Sequence, residues 1–239
     1  MDAIALVAVA ALVASTLAAV AGFGGAAVLL PALVAAFGVR DAIPLLTVAQ
    51  LLGNGSRVWF NRRELDVRVV GWFALGAVPA ALAGGALFAA APLPWLRRLV
   101  GAFLIATVLW RHRGGGPVPR LSRRAFAPLG AASSFLSALV GSVGPLMAPF
   151  FLAAGLAKGA YIGTEALATV VMHVFKLIAY HGASVLSPHA VAVGLALGPV
   201  MITGSFLGKQ IVDRLPTRVF TLIIEAVLLG AGGWFLLAG

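Results

Sequence analysis

Residues 21–33 read AGFGGAAVLLPAL, in a stretch with no charged side chain between Asp2 and Arg40. Three glycines and then a proline interrupt what would otherwise be an ordinary membrane helix. A second stretch, VGSVGPLMAPFFL at 140–152, repeats the interruption 119 positions later, where Gly22 and Gly25 correspond to Gly141 and Gly144. A straight helix over 3–38 would reach about 54 Å at 1.5 Å per residue. The hydrocarbon core of a bilayer is only about 30 Å thick. The glycine clusters therefore mark places where two overlong apolar runs break.

The rest of the chain sets the context. It has 239 residues, 62% of them hydrophobic and 10% charged, with a mean hydropathy of +1.07. A soluble domain of this size has no interior large enough for that apolar surface, so the bilayer is its solvent. The apolar runs are 3–38, 43–60, 69–90, 97–110, 125–156, 160–181, 189–208 and 217–238. The composition thus predicts an all-α polytopic membrane protein. The formal charge is +10. Its basic residues cluster between apolar runs, which is a topology signal rather than a sign of nucleic-acid binding. With no cysteine, thiolate chemistry and disulfides are excluded. His112, His173, His181 and His189 lack ligand spacing, so neither a metal nor a cofactor is expected. The start of the chain has no basic leader and no clear cleavage site, and reads as mature structure.

Charge decides how the two long runs are threaded, because cytoplasmic loops are rich in Lys and Arg. If each run crosses once, the basic residues divide nine against seven. If each folds back at its glycines, Lys158, Lys209, Arg214 and Arg218 join Arg57, Arg62, Arg63, Arg68 and the five arginines of 111–124. The division is then thirteen against three, with Lys176 left inside the membrane. The fold-back arrangement predicts both termini outside and a cytoplasmic central loop. Each half becomes one broken-helix hairpin plus three spans. An odd number of crossings inverts the second half, giving two inverted-topology repeats, the usual plan of secondary transporters. The first repeat covers 1–112, a basic Gly/Pro-rich linker 113–124, and the second repeat 125–239.

The repeat is visible in individual residues. At the offset of 119, Asn54 falls on His173 and Arg57 on Lys176; later the offset is 124, with Gly84 on Gly208 and Pro92 on Pro216. Gln50, Asn54 and Arg57 are spaced four and three apart, on one helical face, and Thr169, His173 and Lys176 repeat the spacing. Ionisable groups inside a membrane are costly and usually face a cavity. Arg57 and Lys176 either line a pathway, from opposite mouths, or snorkel to headgroups. Glu165 and Glu225, with His173, are the candidates for proton coupling; Glu165 is alternatively interfacial. Helices that begin at the glycine breaks would aim their positive ends at the bilayer interior and favour an anion. Pro145 suits the first turn of such a helix. The candidate binding set is therefore Gly22, Phe23, Gly24, Gly25, Gln50, Asn54 and Arg57, with Gly141, Ser142, Gly144, Pro145, Thr169, His173 and Lys176. Gly194/Gly198 and Gly204/Gly208 are spaced for close helix packing. Pro79 and Pro199 are expected to kink their helices, and Trp59, Trp72, Trp95 and Trp110 to anchor at the interfaces.

The two glycine motifs, the chain length and the basic central loop resemble the sulfite exporter TauE/SafE family of bacterial membrane proteins. The positions that match are Gly22, Gly24, Gly25, Pro31, Gly141, Gly144, Pro145 and Pro149. Ala26, Ser142 and Val143 stand where glycine is common in that family. The resemblance implies export of a small sulfur-containing oxyanion, such as sulfite or an organosulfonate, across the bacterial cytoplasmic membrane. The partners expected are that anion, the lipid bilayer and possible further copies of the chain in a homo-oligomer. No P-loop or H-E-x-x-H is present, and no catalytic role is assigned. A passive anion channel and a membrane scaffold that moves nothing are the alternatives.

Overall fold

The computed structural model describes residues 3–21, 25–112, 121–156, 158–211 and Leu229. Gly22, Phe23, Gly24, Glu225, most of the central linker and the run 217–238 apart from Leu229 lie outside the described residues. The helices are α1 (Ala3–Ala21), α2 (Gly25–Phe60), α3 (Val67–Ala90), α4 (Leu93–His112), α5 (Phe126–Val140), α6 (Gly144–Ala153), α7 (Lys158–Gly182), α8 (Pro188–Ala196) and α9 (Gly198–Ile211). Among the described residues every regular element is helical. Among the described residues, four stretches are long and apolar enough to cross a membrane: Val28–Phe60, Val67–Ala90, Gly159–Gly182 and Pro188–Gly208. The protein is thus an all-helical integral membrane protein.

Both overlong runs are broken at their glycines. In the second, α5 ends where Gly141 takes φ 87°, a left-handed conformation that a residue with a Cβ adopts only under strain. α6 begins three residues later and has 10 residues. At 1.5 Å each it is about 15 Å long, roughly half a hydrocarbon core. The chain has reversed: the Leu121 N–H donates to the Ala153 carbonyl at 3.2 Å, and the Phe126 and Phe151 rings meet edge to face at 4.9 Å. In a straight helix residues 121 and 153 would lie about 48 Å apart. The first run behaves alike. Gly25 is pressed against the Ala14 carbonyl and the Ala18 side chain, so α2 starts alongside α1 rather than continuing it. A further break at Gly38, φ 75° and ψ 160°, divides α2 into a short arm and a long one.

Arg40 closes that break. Its guanidinium donates to the carbonyls of Phe88, Ala89 and Ala91 at 2.9, 2.7 and 2.8 Å. These are groups at the end of α3 that a helix cannot satisfy internally. At the other end of α3, Asp66 accepts from the Arg68 and Val69 N–H groups and pairs with Arg123 at 3.1 Å. The Asp66 N–H donates to Thr164 Oγ1 at 3.0 Å, tying the starts of α3, α5 and α7 together.

Helices pair through small residues, because lipid is as apolar as leucine and gives side chains no reason to leave it. α1 packs on α9 and α5 on α3; α2 packs on α7, α8 and α9, and α7 also on α3. Gly204 meets Ser15 and the Leu12 carbonyl, and Gly208 the Thr16 carbonyl and Ala19. Gly76 and Gly130 meet the backbones of α5 and α3 reciprocally. Gly194 and Gly198 admit Val48 and Leu52 of α2. The run 189–208, expected as one helix, is divided into α8 and α9 at Leu197, just before Pro199. Pro79 sits inside α3 without interrupting it. Trp59, Trp72 and Trp95 are exposed on the protein surface, as interfacial anchors are.

Candidate functional site

The long arm of α2 and the whole of α7 carry the polar stripes, and they lie side by side. Along α2, Asn54 Nδ2 donates to Gln50 Oε1 at 3.5 Å, and Arg57 Nη2 donates to Asn54 Oδ1. Along α7, Thr169 Oγ1 donates to Glu165 Oε1 at 3.2 Å. The helices run antiparallel, so Arg57, late in α2, meets Glu165, early in α7, with Nη1 3.5 Å from Oε2. Arg57 also reaches the Ala18 carbonyl near the end of α1, at 3.5 Å. On the other side, Lys176 Nζ donates to Ser137 Oγ at 3.0 Å and to the Gly141 carbonyl at 3.4 Å. That carbonyl belongs to the break between α5 and α6. The lysine thus meets part of the hydrogen-bonding demand that a broken helix creates in a membrane.

One cavity, about 30 Å³, is lined by these elements. The N-terminus of α2 reaches it through Gly25 and Ala26, and that of α6 through Gly144, with Gly141, Ser142 and Val143 of the break beside it. Gln50, Asn54 and Arg57 form one wall; Glu165, Thr169, Met172 and His173 form another; Ala18, Ser137 and Met147 complete it. The volume holds a water molecule or two. A larger guest requires the walls to part.

Most of the sequence-predicted residues thus converge here, although Asn54 and His173 are 119 positions apart in the chain. Pro145 stands in the first turn of α6. Lys176 is behind the wall rather than on it, in contact through Ser137 and Gly141. One expectation is corrected. Arg57 and Lys176 are not at two mouths and do not snorkel: they are 6% and 0% exposed. Nor is Glu165 interfacial; it is 2% exposed and paired. Ser137, Met147, Met172 and Ala18 were not anticipated. The serines of AASSFLSALV, at 131–140 in an apolar helix, were the available signal: Ser133, Ser134 and Ser137 are all buried.

Two helix N-termini reach the cavity, each the positive end of a helix dipole; in α6 Pro145 has no N–H and the Leu146 and Met147 N–H groups donate to the Val143 carbonyl. Among the described residues, Gln50 Nε2 and His173 Nδ1 are buried without a hydrogen-bond partner. A buried amide donor left unpaired costs free energy, and an oxyanion would supply the acceptor it lacks.

Comparison with protein families gives a match over residues 7–235 to the model described as Sulfite exporter TauE/SafE. Neither curated proteins nor solved structures give a match.

Proposed function

The chain belongs to the sulfite exporter TauE/SafE family, and from that premise we propose that it is a secondary transporter that exports a small sulfur-containing oxyanion across the bacterial cytoplasmic membrane. The anion sits where the two broken helices meet, held by the α2 and α6 N-termini, Gln50, Asn54, Arg57, Thr169 and His173. One observation carries this reading: two helix N-termini and two side-chain nitrogens without a partner among the described residues, those of Gln50 and His173, border one cavity.

The architecture proposed is a pair of inverted repeats, with both termini outside. Helix pairing supports it. Gly84 of α3 faces Phe135 and Ala138 of α5, and Gly208 of α9 faces Thr16 and Ala19 of α1. The glycines differ by 124 positions and their partners by 119, which are the two offsets found in the sequence. Arg57 reaches Ala18 and Lys176 reaches Ser137, again both at 119. Each half thus lends its hairpin to the other, so that relative motion of the halves exposes the shared site alternately.

Counterflow in proteoliposomes tests the function. Unlabelled sulfite or methanesulfonate inside the vesicles accelerates entry of the labelled anion if the protein is a carrier. Flux without acceleration identifies a passive channel, and no flux from a correctly folded protein identifies a scaffold.

A further inference from the structure

The charges around the cavity define which anion it takes. Among the described residues, three side chains there carry formal charge, counting His173 as neutral. Arg57 and Glu165 face each other at 3.5 Å and offset one another. Lys176 remains. It is fully buried, and among the described residues its partners are a hydroxyl and a carbonyl, both neutral. Tyr180, one turn along α7, turns its hydroxyl away to the Ala138 carbonyl at 2.6 Å. The two repeats differ at this point: Glu165 corresponds, at the offset of 119, to Leu46. One half pairs its cation with a carboxylate and the other half does not.

We propose that the cavity is matched to a monoanion, and that Lys176 is its counter-charge, acting through Ser137. This rests on the anion-carrier reading above. An ammonium at membrane depth is expensive without a negative partner. Ser137 accepts the lysine's hydrogen bond and lines the cavity; its own hydroxyl donates to the Gly141 carbonyl at a long 3.5 Å, and a bound oxygen would compete for that proton. A monoanion makes the filled site neutral. A dianion leaves one net negative charge in a low-dielectric setting, where an unbalanced charge is costly. The helix N-termini strengthen binding of either but carry no net charge, since each helix ends in the opposite pole. The preferred cargo is a sulfonate or hydrogen sulfite, rather than sulfite dianion or sulfate.

Methanesulfonate and sulfate separate the cases, being of similar size and shape and differing in charge. Equilibrium binding of each to the purified full-length protein is the measurement. The wild type binds methanesulfonate at least about tenfold more tightly than sulfate. Glu165→Gln, which keeps a hydrogen-bonding side chain and removes one negative charge, shifts that ratio at least about tenfold toward sulfate. Lys176→Met weakens methanesulfonate by about tenfold or more, and Lys176→Arg keeps the monoanion preference. If Lys176→Met does not fold, the Glu165→Gln ratio decides alone. A wild type that binds sulfate as tightly as methanesulfonate overturns the monoanion proposal and leaves the carrier reading intact. An unmoved ratio in Glu165→Gln overturns it too, as does a shift of the same size in Glu225→Gln, because Glu225 would then be the partner of Lys176. A wild type that binds neither probe removes the anion site and the proposal together.

Discussion

Arg57 and Glu165 stand 108 positions apart in sequence and 3.5 Å apart in space, each almost wholly buried, one on α2 and the other on α7. Their meeting fixes the register of the two helices that carry the site. Removing one member of a buried pair strands the other, at a cost of about 3–5 kcal/mol, whereas replacing both by apolar groups is often tolerated. Glu165→Leu is therefore expected to lower unfolding stability in detergent by about that amount, and Arg57→Met/Glu165→Leu to recover most of it. A double variant as unstable as the sum of the singles would show that the two groups do not interact.

Gln50 offers the opposite trade. Its Nε2 is buried without a partner among the described residues, and its Oε1 accepts only a long 3.5 Å bond from Asn54, so Gln50→Met is expected to change stability by no more than about 1 kcal/mol. The same change removes a donor to the anion, worth about 1.5–3 kcal/mol when the acceptor is charged. Anion uptake should then fall by about tenfold or more. Melting temperature and uptake, measured on one preparation, give both values; lost stability with normal uptake would remove Gln50 from the site.

The glycine contacts make a symmetric prediction. A Cβ on Gly84 would lie 2.8 Å from the Phe135 carbonyl, and one on Gly208 would strike the Thr16 carbonyl. Gly84→Ala and Gly208→Ala should each cost about 1–3 kcal/mol by forcing paired helices apart. Gly55, also helical, has nothing within 4 Å of that position, so Gly55→Ala is expected to stabilise by about 0.5–1 kcal/mol. Thermal unfolding of the three proteins is sufficient to compare them.

Asp66 predicts a pH effect outside the membrane. Partial burial pushes its carboxyl up, but the Val69 and Arg68 N–H groups and the Arg123 guanidinium outweigh burial and hold it below its ordinary 3.8. A lowered native value means stability that is fully present above the unfolded value and is lost as pH falls through the native one. Asp66→Asn can still cap α3 but cannot titrate. The wild type should be the more stable of the two at pH 6, and the difference should shrink as pH falls below the ordinary carboxylate value of 3.8 and through the lower native one. A difference that does not change across that range would exclude ionisation as its source.

The chain has no cysteine, so single-cysteine labelling reads topology directly. Ser122→Cys and Gly182→Cys place exposed thiols before α5 and at the end of α7. Under the proposed inverted arrangement an impermeant maleimide reaches Gly182→Cys from outside intact cells and Ser122→Cys only after the cells are opened. Labelling of both from one side would dismantle the arrangement.

Hydropathy and the two glycine clusters were enough to say that this chain lives in a bilayer and that two of its helices break, because both properties follow from local composition: an uncharged run too long for the membrane, with residues that end helices in its middle. The stripes Gln50–Asn54–Arg57 and Thr169–His173–Lys176 were legible for the same reason, since a helix places residues three and four apart on one face. What the polar groups do to one another was decided only in three dimensions. That Glu165 neutralises Arg57, that Lys176 sits behind Ser137, and that neither cation reaches a headgroup all depend on α2 and α7 lying antiparallel and on the second hairpin closing against α3. Such contacts join residues tens to more than a hundred positions apart, and no local pattern records them. Burial then turns each into a question of charge balance, because a low-dielectric interior makes every partner count.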